Sequence, residues 1–162
     1  MDNILPKRKH PRLKEFDYST PGAYFITICA HKRRHLFAQI TDVPYGDAII
    51  QYTPYGNVAK EQLLQLKKRY PQIEIEHYTI MPNHIHMIIS LNNEAQSSIT
   101  DIICAYKSLT VQACRKMQLQ EKVFQTSFHD HVIRNQQDYD EIRESIENNP
   151  KQWALDHLYA EE

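Results

Sequence analysis

Apolar and polar residues alternate along Ile73-Glu74-Ile75-Glu76-His77-Tyr78-Thr79-Ile80. A second run, His84 to Leu91, puts Ile85, Met87, Ile89 and Leu91 on one side. A period of two is that of a strand. Met81-Pro82-Asn83 turns the chain between the runs, so the pattern predicts an antiparallel hairpin. Ala23 to Ala30, rich in β-branched and aromatic residues, predicts an earlier strand, and Phe124 to Ile133 a final one. The period lengthens to that of a helix in three places. Ala59, Leu63, Leu66 and Tyr70 mark a helix over 55–70 that Pro71 ends. Ile99, Ile102, Ile103, Tyr106, Leu109, Thr110, Ala113 and Met117 mark a second, opened by Ser98 and Asp101 as a capping box. Tyr139, Ile142 and Ile146 mark a third, running from an Asn135 N-cap, with Asp138 three residues on, to Asn149 before Pro150. Residues 36–52 are ambiguous, and Pro44-Tyr45-Gly46-Asp47 predicts a loose hairpin there.

This order predicts an α+β fold, a ferredoxin/RRM-like antiparallel sheet with helices packed on one face. The other face would then stay open, as in sheets that bind nucleic acid. At 162 residues the chain suits a single domain, expected over 21–158. Residues 1–20 lack apolar periodicity and predict a basic N-terminal arm. No apolar run is long enough for a bilayer span, and Met1 to Arg12 lacks the apolar stretch of a signal peptide. A cytoplasmic protein with no membrane partner is therefore expected. Cys29, Cys104 and Cys114 form no C-x-x-C pair, which argues against a cysteine zinc site and predicts buried or half-buried thiols.

Formal net charge is only −1, which by itself points to no polyanionic partner. The local distribution differs. Basic residues cluster at Lys7 to Arg12, at His31 to His35 and at Lys67 to Arg69. A locally basic surface binds phosphates even when net charge is near zero. Arg8, Arg12, Arg33, Arg34, Lys107 and Arg134 are the candidate phosphate contacts, each competing with a surface salt bridge. For Lys67 to Arg69 a solvated surface is the simpler reading.

The candidate chemistry lies in the hairpin. Residues i and i+2 of a strand share a face, so His84 and His86 stand side by side, opposite the apolar row. Two neutral imidazoles so placed form half of a metal site, although an isolated His-x-His reads more simply as two half-exposed strand residues. A third ligand would come from another element. On the last helix Ser145 and Asn149 are one turn apart, at the border of the Ile142/Ile146 stripe. Taken alone, Asn149 is a helix-terminal residue before proline. Its carboxamide oxygen could also complete a mixed N/O site, of a kind that suits Mg2+ or Mn2+ shared with a phosphate oxygen.

Met81-Pro82-Asn83-His84-Ile85-His86 resembles the HUH motif (histidine, hydrophobic, histidine) of the single-tyrosine, single-strand DNA transposases. Gly22-Ala23-Tyr24-Phe25-Ile26-Thr27-Ile28 resembles their first strand, and Tyr106-Lys107-Ser108 their central helix. Phe128 to Asn135 resembles their last strand, and Ile146-Glu147-Asn148-Asn149-Pro150 their closing helix. Over residues 8–158 the chain is similar to the REP-associated tyrosine transposases. The resemblance implies an HUH endonuclease fold and a divalent ion, Mg2+ or Mn2+, held by His84, His86 and Asn149. It implies single-stranded or hairpin DNA as partner and a monomer or homodimer, nucleoid-associated when bound to DNA. It further implies cleavage and rejoining, in which a tyrosine on the closing helix attacks the scissile phosphate to give a 5′-phosphotyrosine and a free 3′-hydroxyl.

One position departs from that pattern. The family's closing helix reads Tyr-Ile-x-x-Asn-Pro, and Ser145 occupies the tyrosine position. A serine hydroxyl is shorter than a phenol and harder to ionise. Tyr139, six residues earlier, falls about 9 Å along the axis and about 120° around it, and is expected to pack. Two functions follow. One is a transposase-like HUH endonuclease impaired in cleavage at Ser145. The alternative is a non-catalytic DNA-hairpin-binding protein derived from a transposase. An RRM-like RNA binder would need aromatic runs that the sequence lacks. Tyr24, Tyr78 and Tyr106 could stack bases, but core packing is the better expectation for each. His129 and His131 are expected in structural or DNA-backbone roles.

Overall fold

The structure is a computed structural model, and it describes residues 16–41 and 48–153. The chain runs β1 (Gly22–Cys29), β2 (Ala38–Thr41), β3 (Ile49–Tyr52), α1 (Pro54–Arg69), β4 (Ile73–Met81), β5 (His84–Leu91), α2 (Ile99–Lys116), β6 (His129–Ile133) and α3 (Gln136–Asn148). Four strands form one antiparallel sheet in the order β4-β5-β1-β6, and β2 with β3 forms a separate hairpin. This is the expected α+β class. Arg8 and Arg12 lie outside the described residues, as does the turn at 44–47.

Period-two patterning sorts the sheet into two faces. Tyr24, Ile26 and Ile28 of β1 and Ile85, Met87 and Ile89 of β5 are buried on one face. They meet Ala59, Leu63 and Leu66 of α1 and Ile99, Ile102, Ile103 and Tyr106 of α2 in a single core. Each such aliphatic side chain contributes about 1.5–3 kcal/mol by leaving water. Tyr106, fully enclosed, satisfies its hydroxyl by donating to the Ala59 carbonyl at 2.9 Å, which ties the two helices. The side chains of Ser98 and Asn135 accept from the backbone N–H of Asp101 and Asp138 at 3.1 and 2.8 Å, so both expected N-caps form. Each cap is worth about 1 kcal/mol.

The helices do not all share that face. Pairing places His84 opposite Cys29 and His86 opposite Thr27, with Met81 and Thr79 on the far side. Of the described helices, only α3 lies along this second face, against β4 and β5. Its first turn brings the Tyr139 hydroxyl to Glu76 and its ring to within 6.2 Å of His77, and its end reaches His84. The polarity of α3 explains the choice. Ile146 is its one buried residue, so it seals a polar face better than a greasy one. The expected open face is therefore covered along β4 and β5.

Other expectations shift locally. Residues 16–20 pack rather than extend: Tyr18 is buried against Phe16 and Tyr24, and its carbonyl accepts from the Ile99 N–H at 2.9 Å. The final strand starts at His129, because Phe124 makes only an isolated bridge with Ala30. Met117 is the exposed C-cap of α2, and Cys114 fills its place in the core. Cys29 and Cys114 are buried, but Cys104 is exposed. Among the described residues no helix is long and apolar enough to cross a membrane.

Candidate functional site

The β4–β5 hairpin delivers both histidines to one spot. Their ring centroids are 4.4 Å apart. His84 is fully buried and His86 half-buried. Each ring is held through Nδ1. His84 Nδ1 donates to the side-chain carbonyl of Asn83 at 2.8 Å, while His86 Nδ1 shares a hydrogen bond of 2.9 Å with the Thr27 hydroxyl from the neighbouring strand. Nδ1 restraint of this kind fixes ring orientation in metal-binding histidines and leaves Nε2 as the coordinating atom.

Asn149 arrives from α3, and its carboxamide oxygen stands 3.2 Å from His84 Nε2. A carbonyl oxygen can only accept. Since Nδ1 carries the proton toward Asn83, Nε2 presents a lone pair to another acceptor. Two facing acceptors are held together by a cation between them, either a proton or a metal. Neighbouring ligands of an octahedral ion bound at about 2.1 Å stand about 3 Å apart, which matches this pair. The His84–Asn149 pair thus fits a small divalent ion, with the His86 ring beside it. Among the described residues no group of three His, Cys, Asp or Glu side chains gathers, so the donor set rests on the amide.

Three residues complete the site that period and spacing did not reveal. Thr27 and Asn83 orient the two imidazoles. Trp153, the only tryptophan of the chain, packs its ring 6.0 Å from His84 and 5.5 Å from His35. Asn83 sits beside the motif and Trp153 falls four residues after Asn149, but nothing in the sequence states which of them turns inward. Asn83 also reaches outward, donating from Nδ2 to the Arg33 carbonyl at 3.4 Å. Lys32 and Arg33 there adopt positive φ values of 56° and 53°, a conformation that costs a side-chain-bearing residue about 1 kcal/mol or more.

Ser145 is exposed on α3, one turn before Asn149. The helix continues through Asn149, whose backbone is helical, so both residues share one side. Tyr139 is at the other end of α3. Burial, and then its hydrogen bond to Glu76, push its pKa up to about 12, the reverse of what an activated nucleophile needs. The cationic residues divide. Arg33 and Arg134 are exposed. Arg34 pairs with Glu121 and donates to the Lys122 carbonyl, and Lys107 donates to the carbonyls of Gln125 and Thr126. At His31, burial and then the neighbouring cations Lys122, Lys32 and Arg34 lower the pKa.

A family model described as IS200-like transposase matches residues 19–149. The chain belongs to the IS200-like transposase family. A relative of this IS200-like chain, an uncharacterized protein of Haemophilus influenzae, is 29% identical over 95% of this chain and 94% of that protein. Among solved structures, a REP-associated tyrosine transposase bound to a REP hairpin is similar with a TM-score of 0.67 at 21% identity, over 90% of this chain and 76% of that one. A protein of Deinococcus radiodurans described as a transposase gives a TM-score of 0.53 at 15% identity, over 85% and 97% of the two chains. At these identities the structural likeness shows the shared fold.

Proposed function

We propose that this IS200-like transposase binds single-stranded or hairpin DNA at a divalent-metal site formed by His84, His86 and Asn149. We further propose that Ser145 impairs its cleavage. The observation that carries the reading is the approach of Asn149 Oδ1 to His84 Nε2 at 3.2 Å, from an element 65 residues away in sequence. A bound Mg2+ or Mn2+ would polarise the scissile phosphate and offset the charge that develops on it. The chain supplies three neutral donors there, so phosphate oxygens are needed to balance the ion, and metal and DNA should bind cooperatively. His84 and His86 are pre-oriented by Asn83 and Thr27, and Trp153 keeps water from the buried side of His84. Exposed Arg33 and Arg134 are suited to the DNA backbone.

Covalent transfer needs a hydroxyl presented from α3 toward the phosphate. Ser145 holds the matching position with a short, weakly acidic group, and Tyr139 is committed to Glu76 at the far end of the helix. The single-turn separation of Ser145 from Asn149 favours DNA binding with the chemistry lost over a displaced nucleophile. Ser145→Tyr tests this directly. With a hairpin oligonucleotide and Mn2+, wild type should bind and yield no covalent adduct. Ser145→Tyr should yield an adduct that maps to position 145 and disappears when His84→Ala is added. An adduct formed by wild type at Tyr139, or none formed by a Ser145→Tyr protein that still binds the hairpin, would sink this account of impairment.

A further inference from the structure

Strand register decides which of two adjacent aromatics is available to a ligand. Tyr24 turns into the apolar core and is 1% exposed. Phe25 turns to the histidine face, is half-buried, and is absent from the core cluster and from the residues packed against it. Its ring centroid lies 5.1 Å from that of His86, with the planes 34° apart. Its backbone partners are Ile88 on β5 and His131 on β6. His86 therefore has two side-chain neighbours on β1: Thr27 holds its Nδ1, and Phe25 flanks its ring. α3 lies against β4 and β5 and reaches β6 through Asp138, whose carboxylate accepts from His131 Nε2 at 2.7 Å; beside that contact the β6 side of this face carries exposed His129 and half-buried Ile133.

We propose that Phe25 is the stacking platform for the unpaired base next to the phosphate held at the His84/His86 site. The proposal rests on reading that site as one for single-stranded DNA. Aromatic rings on an uncovered sheet face take up splayed-out bases, whereas a base inside a duplex already has both faces occupied. Phe25 is contiguous with the site through His86, so a nucleotide whose phosphate reaches the imidazoles brings its base over the adjoining ring. The ring has no hydrogen-bonding group, so the contact measures whether a base is unpaired and stacked rather than which base it is.

The test measures affinity by fluorescence anisotropy for a hairpin oligonucleotide with a single-stranded flank. The same hairpin is also tried without its flank and with an abasic site stepped through the flank. In wild type one abasic position should weaken binding about 5- to 150-fold. Phe25→Leu should weaken binding of the intact oligonucleotide by a similar factor and become indifferent to that abasic position, while Phe25→Trp should behave as wild type. Phe25 lies outside the core cluster, so Phe25→Leu should fold, and the tryptophan variant controls for any loss of packing. If wild type binds the hairpin equally well with and without its flank, the single-strand reading of the site falls and the platform with it. A wild type that needs the flank, paired with a Phe25→Leu protein that keeps full affinity or keeps its abasic sensitivity, overturns the platform alone.

Discussion

The two faces of the sheet are built from the same strands and obey different rules. On the face covered by α1 and α2, Ile26, Ile28, Ile85, Met87 and Ile89 are all fully buried, and the buried phenols of Tyr24 and Tyr106 each donate to a backbone carbonyl. On the face covered by α3, the buried side chains include His84, Thr27 and Thr79. Three contacts of this second face join segments more than fifty residues apart: Thr27 to His86, Glu76 to Tyr139 and His84 to Asn149. Apolar burial is non-directional and tolerates substitution of similar volume. Buried polar contacts are directional and cost more when one partner is lost. One face thus sets stability, and the other sets geometry at a few atoms.

The sharpest way to break this division is to damage each face separately. Ile103→Ala, on the apolar side, should lower stability by about 2–5 kcal/mol in urea unfolding and leave the Mn2+ affinity of the folded protein unchanged. A change in metal affinity comparable to the loss of stability would show that the faces are not independent. Next in size is Asn83→Ala. Loss of a group that orients a metal-binding imidazole typically costs 10–100-fold in metal affinity, about 1.4–2.7 kcal/mol. The expected result is Mn2+ binding weakened to that extent, read from the fluorescence of Trp153 beside His84. An unchanged affinity would remove Asn83 from the site.

The smallest effect separates the faces by pH. Burial raises the Tyr24 pKa to about 12, and burial followed by Glu76 raises that of Tyr139 to about 12. A tyrosine whose pKa is higher folded than unfolded holds its proton more tightly in the native state. Its contribution is fully present below pH 10 and is lost as pH rises from 10 toward 12. Wild-type stability should therefore fall over that window. Tyr139→Phe should fall less steeply, because Glu76 then has no phenol beside it. An identical alkaline slope in the two proteins would mean that Tyr24, Tyr52 and the enclosed Tyr106, whose pKa values burial also raises, carry the whole effect.

Much of this molecule is local, and local structure is legible. The period-two run through His84 and His86, the caps at Ser98 and Asn135 and the stop at Pro150 depend on backbone geometry within a few residues. Each appears where the pattern predicts it. The pairing of Ser145 with Asn149 along one helix side is of the same kind. Placement of α3 is not. Its pattern shows a narrow apolar stripe, which says that it packs but not against which face. The choice follows from the whole sheet, because α1 and α2 already fill the greasy side.

The chain by itself therefore determined that two imidazoles share a face and that an amide stands four residues after a serine on the closing helix. Only the tertiary structure decided that the amide meets the imidazoles, that Thr27 and Asn83 hold them, and that Phe25 rather than Tyr24 lies beside them. The reason is range. Periodicity is enforced by backbone dihedrals over a turn or a pleat, whereas the meeting of residues 59 and 65 positions apart is settled by the summed burial of every element at once.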